Sequence, residues 1–279
     1  MAGVADTVDE VIEALHAVVE QAQRDDDRIG FFAALYRQVT LRVHEGIKTG
    51  FFDDPERMAR LDVVFANRYL DALEMFRADG RPTRSWLTTF EAATRWRPLI
   101  LQHLLVAINA HINLDLGIAA ATTAPGASIH GMRRDFERVN EILAAMIAEV
   151  QRNLVEVSPW LRWLDRFGAR RNDEVVRFSI VVARAEAWRF ATELAPLAED
   201  AWAAAISARD ARVARLADSI LHPGLLSTGL LVIRLRETSD VGRVLAAMTR
   251  TTGPSLEQVD ARVADERAPD PHDATGHTP

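Results

Sequence analysis

Residues Leu99–Ala121, LILQHLLVAINAHINLDLGIAAA, decide how the rest of the chain must be arranged. Leu99, Ile100, Leu101, Leu104, Leu105, Val106, Ile108, Ile112, Leu114, Leu116 and Ile118 fall on every side of a helix and leave it no solvent face. A helix that is apolar all round is wrapped by neighbours, so this segment is expected at the centre of a helical bundle. Pro98 stands before it, and Thr122-Thr123-Ala124-Pro125-Gly126 ends it. The polar residues set into it are therefore expected to be buried, and buried polar groups need partners.

Outward from this helix the apolar spacing stays helical, three and four residues apart, with no alternating run of strand type. Helices are expected over about Thr7–Gln23 (capped by Asp6 or Thr7), Ile29–Ile47, Pro55–Ala78, Ser85–Thr94 and Ile129–Val157. A short one follows Ser158-Pro159, then come Asp173–Leu194, Glu199–Leu221, Leu225–Arg236 and Ser239–Thr249. No repeat of fixed period and no long linker interrupts the series. The fold class is all-α: residues 1–252 form one bundle of about eight to ten helices around a buried central helix. Residues 253–279, rich in Asp, Arg, Pro and Thr, read as a disordered C-terminal tail.

Of 279 residues, 48% are hydrophobic and 26% charged, as in an ordinary globular protein with a core of normal size. Cysteine is absent, which excludes disulfides and thiolate zinc sites. A net charge of −7 offers no footprint for nucleic acid. Lys48 is the only lysine, and it lies in a turn-like Lys48-Thr49-Gly50, a poor place for Schiff-base chemistry. No basic, apolar leader and no uninterrupted apolar run of ~18 residues is evident, so no transmembrane segment is expected and the cytoplasm is the default location. Leu225–Leu235 is apolar enough to be a contact surface, and the sequence sets no oligomeric state.

At about 100° per residue, the polar residues of the central helix divide. Gln102, Asn109 and Asn113 share a narrow sector, the arrangement of residues that tie helices together. His111 and Asp115 lie one turn apart on another side and form the better pair for chemistry. His103 stands ~12 Å along the axis from His111 and belongs with neither set; of these residues it is the one expected to be an ordinary core histidine. Other helices carry polar residues among hydrophobes: His44 and Asp62, then Asp135 and Asn140, then Arg184. His111, Asp115, His44, Asp62 and Asp135 are of the types that ligate a divalent metal ion. Such an ion would polarise water for hydrolysis of a small molecule, with Arg184 and Asn140 holding the substrate. The same residues without a metal suit acid–base work, or the lining of a ligand-binding cavity in a protein with no catalytic activity. They are equally compatible with a structural network in an interaction protein.

Known motifs are absent. There is no second Glu-x-x-His beside Glu13-Ala14-Leu15-His16, no zincin motif, no His-Asp dipeptide and no Gly-rich phosphate loop. Phe51-Phe52-Asp53-Asp54 is superficially similar to an aspartate-rich terpene-synthase motif, but Asp54-Pro55 reads as a helix start. The segments Phe31–Ile47, Phe51–Tyr69, Asn109–Ala119 and Asp135–Asn140 together resemble an uncharacterised all-helical bacterial family, one of the domains of unknown function. The resemblance is strongest around Asn109–Ala119 and extends to about Leu194. It implies a helical single domain and no particular activity.

Overall fold

In the computed structural model, which describes residues 4–158, 180–224 and 227–250, every regular element is helical. Thr7 starts α1 (Val8–Asp25) with a reciprocal capping box to Glu10, and Asp26 in the left-handed region ends it. α2 (Gly30–Thr49) packs back antiparallel on α1. Gly30 is required at that contact: a Cβ there would lie 2.4 Å from the Ala22 Cβ and 3.0 Å from a Leu245 methyl. α3 (Pro55–Arg77) begins at a proline with Asp54 as its cap, and α4 (Arg84–Ala93) follows.

The central helix is continuous from Ile100 to Thr123, but it changes pitch on the way. α5 (Ile100–Ala110) leads into a π-helical turn over His111–Leu116, and α6 (Gly117–Thr123) completes it. It is long and apolar enough to cross a membrane, yet 78% of its most apolar window is buried inside the protein, as a core helix requires. A 3₁₀ segment (Gly126–Met132) feeds α7 (Arg133–Val157). The described part of α8 spans 180–194; α9 (Glu199–Leu221), α10 (Ser227–Arg234) and α11 (Val241–Thr249) follow. α11 returns to α1, α2 and α7. The expected short helix after Ser158-Pro159, the start of the Asp173–Leu194 helix and the tail 253–279 lie outside the described residues.

Two apolar cores form on either side of the central helix. One gathers α1, α2, α3, α4, α5 and α11; the other gathers the loop residues Phe51 and Phe52 with α6, α7, α8 and α9. Val39 and Phe65 pack against both. On the second side, α6 and α8 approach closely at Gly117, where a Cβ would meet Phe190 at 2.7 Å and the Ala187 carbonyl at 3.0 Å.

Three buried acids tie the starts of helices to distant parts of the chain. Asp135 accepts the Asp53 and Asp54 amides (2.7 and 3.0 Å), just ahead of α3. Asp210 accepts the Arg84 and Ser85 amides (2.8 and 3.0 Å) at the start of α4. Glu237 accepts the Ile100 amide (2.9 Å) at the start of α5 and also bonds the Ser158 hydroxyl. Each carboxylate satisfies amides that a helix leaves unpaired at its positive end.

Candidate functional site

His111 lies where the two cores meet. Its side chain is buried, and the Phe65 ring stacks on it at 3.6 Å with an interplanar angle of 13°. Tyr36 at 4.4 Å and Phe32 at 5.3 Å present their edges or faces at steep angles, and Tyr69 and Trp86 complete the surround at 6.4 and 6.2 Å. The spacing explains this local assembly: Phe32 and Tyr36 are one turn apart on α2, and Phe65 and Tyr69 one turn apart on α3. Neither His111 nitrogen has a hydrogen-bond partner, and burial pulls its pKa below the usual value against the pull of Asp115. The ring is therefore a neutral imidazole at neutral pH.

Asp115 is the anchor of this chamber rather than a free acid. Its Oδ1 accepts from Arg68 Nε at 2.8 Å, and its Oδ2 accepts from Trp86 Nε1 at 2.7 Å. His111 Nδ1 stands 3.7 Å from Oδ2, beyond hydrogen-bond reach. The π turn that carries both residues takes one extra residue per turn, a distortion that recurs at functional sites. Arg209 of α9 donates to the Asn113 carbonyl within it at 2.7 Å.

Asp62 is a further buried carboxyl, close enough to the chamber for its charge to act on Tyr36. It lies on α3 one turn before Phe65, is almost fully buried, and its Oδ2 has no partner. Burial pushes its carboxyl up to about 7. The Tyr36 hydroxyl is also unpartnered, and its pKa is raised by burial and then by the Asp62 and Asp115 charges.

His103, set apart from both polar sets by the helical spacing, lines a cavity. The cavity, about 20 Å³, is walled by Phe32, Tyr69, Trp86 and Phe90, with Arg28 also among its lining residues. Both His103 nitrogens and the Tyr69 hydroxyl are buried without a partner. Burial lowers the His103 pKa to about 3, with Arg28 and Arg234 adding repulsion; the Pro98 backbone pulls the other way without reaching hydrogen-bond geometry. The volume holds a water molecule. Phe32, Tyr69 and Trp86 are shared with the His111 surround, so the two histidines occupy neighbouring spaces on either side of one aromatic layer. Helical angles could not reveal this, because the aromatic partners come from α2, α3 and α4.

The remaining expected residues lie elsewhere. His44 faces Asp9 at 3.6 Å, on the α1–α2 side. Asp135 has both oxygens engaged by the Asp53 and Asp54 amides and by Arg57. Arg184, on α8, lays its guanidinium over Phe136 at 4.4 Å and donates to the Phe136 carbonyl at 2.5 Å; burial pushes its pKa down to about 9. Asn140 is one turn beyond Phe136 on α7, with its Oδ1 unpartnered. Neither Arg184 nor Asn140 bonds to His111 or Asp115. The expected metal shell of His111, Asp115, His44, Asp62 and Asp135 is thus dispersed. Among the described residues no group of three or more His, Asp or Glu side chains could hold a metal ion. The physical reason is that Asp115 and Asp135 spend their oxygens on Trp, Arg and backbone donors. The other polar set ties helices together: Gln102 donates to Ile220 O (2.7 Å) and Asn109 to Val213 O (2.9 Å), both on α9, while Asn113 donates to Asn109 Oδ1 (3.0 Å) one turn back on its own helix.

Fold and site together define an all-helical domain with a histidine-bearing aromatic chamber at its centre. Residues 8–223 match the model of a family of unknown function, DUF5995, and the chain belongs to that family. No curated protein and no solved structure matches it.

Proposed function

We propose that the protein binds a small polar molecule in the aromatic-walled interior between α2, α3, α4 and the central helix, by widening a cavity that in this structure, at about 20 Å³, has room for one water. The observation that carries this reading is the set of unpartnered polar atoms on one cavity: both nitrogens of His103 and the Tyr69 hydroxyl. Leaving such groups unpaired costs ~1–3 kcal/mol each, a cost that a bound molecule with donors and acceptors would offset. Tyr69 and the neutral His103 would hydrogen-bond the ligand, and Phe32, Trp86 and Phe90 would pack on its body. Native mass spectrometry of untagged protein tests this. A retained mass in the wild type, lost in His103→Leu and in Tyr69→Phe, is expected; wild-type protein with no retained mass, before or after incubation with a cell metabolite extract, overturns it.

A second reading, hydrolysis of a molecule held on the His111 side of the aromatic layer, is favoured by Asp62. A carboxyl titrating near 7 is suited to general acid–base work at neutral pH, and its charge acts on Tyr36, which packs on the neutral His111. In this reading Asp62 accepts a proton from an attacking water. Asp62→Asn should then keep the bound mass and lose turnover. A metal-assisted version would require Asp115 and Asp135 to leave their present donors, and elemental analysis of untagged protein tests it directly.

A further inference from the structure

A second, larger recess lies at the other side of the first turn of α5. It encloses about 360 Å³ and is lined by Arg95, Arg97, Gln102, His222, Leu230 and Leu231, with prolines and Leu221 between them. That volume falls in the range of small-molecule sites, unlike the cavity at His103. Its polar lining has one sign. Arg95 has a single acidic neighbour, Glu91, at 3.4 Å, while Arg97 is exposed and has no carboxylate partner among the described residues. Gln102 is not free to change this, since its amide already bonds Ile220 and the Leu99 amide. In a chain whose net charge is −7, a recess with two guanidiniums and an imidazole on its wall and no acid among its lining residues is a local reversal of sign.

The opposite wall is apolar. Leu230 and Leu231 of α10 and Leu221 at the end of α9 line it, and Leu231 is 38% exposed among the described residues. The backbone that carries Arg95 and Arg97 is fixed between them: the Arg234 side chain donates to the Trp96 carbonyl at 2.7 Å and lies 5.2 Å from its ring centre.

From this pairing of a cationic and an apolar wall, we infer that the recess between α4, α5, α9 and α10 binds a small organic anion: a carboxylate with a hydrocarbon body, its head on Arg95 and Arg97 and its chain on Leu221, Leu230 and Leu231. The inference is independent of the proposed site at His103, which shares none of its lining. A guanidinium recognises a carboxylate through paired N–H donors, and the leucines supply the affinity that charge alone does not give in water.

Isothermal titration of the full chain with octanoate, octanol and inorganic phosphate separates the two contributions. Octanoate should bind with saturation, and octanol and phosphate should bind at least about tenfold more weakly, as loss of one charged hydrogen bond or of the apolar contact predicts. Arg95→Ala with Arg97→Ala should weaken octanoate binding by about tenfold or more, with unchanged thermal stability because both side chains are exposed. Leu231→Asp should do the same by placing an acid in the apolar wall. Octanoate that fails to bind, or binds the double variant as well as the wild type, overturns the inference; equal binding of octanol shows an apolar patch only and overturns it as well. Phosphate binding as tight as octanoate would reject the apolar wall.

Discussion

Replacing His103 by leucine should alter the acid stability of the protein in a way that only a buried neutral imidazole explains. In the folded protein its pKa lies at about 3, lowered by burial and then by Arg28 and Arg234. In the unfolded chain it takes the ordinary value near 6.5. Below that pH the unfolded state binds a proton that the folded state refuses, so stability is lost as pH falls from 6.5 toward 3. At pH 4.5, about two units below the unfolded value and still above the folded one, the loss comes to about 3 kcal/mol at 1.36 kcal/mol per unit. His103→Leu removes this contribution, fills the same apolar surroundings, and leaves His111 in place. Urea denaturation of both proteins at pH 7.5 and pH 4.5 measures the difference. The variant should match or exceed the wild type at pH 7.5 and gain about 3 kcal/mol on it by pH 4.5. A difference that stays constant between the two pH values would refute the assignment of His103 as a buried, unpartnered and neutral group.

Asp62 carries the opposite sign. Its folded pKa of about 7 lies above the unfolded value near 3.9, so its favourable contribution is present below pH 4 and lost as pH rises through 7. Asp62→Asn should therefore gain about 3 kcal/mol more on the wild type at pH 8 than at pH 5, as read by the same denaturation series. Asp115→Ala leaves the buried Trp86 Nε1 without its acceptor and should cost ~1–3 kcal/mol, with a change in near-ultraviolet circular dichroism reporting the loosened tryptophan. Gly117→Ala forces a methyl against Phe190 and the Ala187 carbonyl and should cost ~1–3 kcal/mol by thermal denaturation, whereas Gly50→Ala, whose Cβ would meet nothing, costs only its backbone strain.

The helices themselves were legible because their signals are local. Thr7, Pro55 and the Asp54 cap mark starts, and the apolar spacing marks lengths, so the expected and observed bounds of α1, α3 and α9 differ by two residues or fewer. The π turn was not legible, since nothing in His111–Leu116 distinguishes five-residue bonding from four. The pairing of His111 with Asp115 survives as neighbourhood and not as contact, because Trp86 and Arg68 reach the carboxylate first. Both donors come from other helices. The cavity at His103 escaped for the same reason: periodicity gives the angle of a side chain on its own helix and says nothing about which rings another helix brings to it. Conversely, Gln102, Asn109 and Asn113 could be read from one helix because Gln102 and Asn109 meet a single neighbour, α9, and Asn113 bonds Asn109 on the helix itself.

The three acids that hold helix starts also set an order of events along the chain. Asp135, Asp210 and Glu237 each come after the amides they accept, by 81 and 82, 125 and 126, and 137 residues respectively. A chain emerging from the ribosome therefore presents α3, α4 and α5 with only their local caps, Asp54 for α3 and Gln102 for α5, until much later segments bring these carboxylates. The most apolar segment of the protein waits longest, because Ile100 meets its carboxylate only when Glu237 arrives. During synthesis the first turn of the central helix thus lacks this bond until residue 237 has been made. A ribosome stalled before residue 237 would hold a nascent chain that is sensitive to protease and dependent on chaperones, and one stalled after it had cleared the exit tunnel would not.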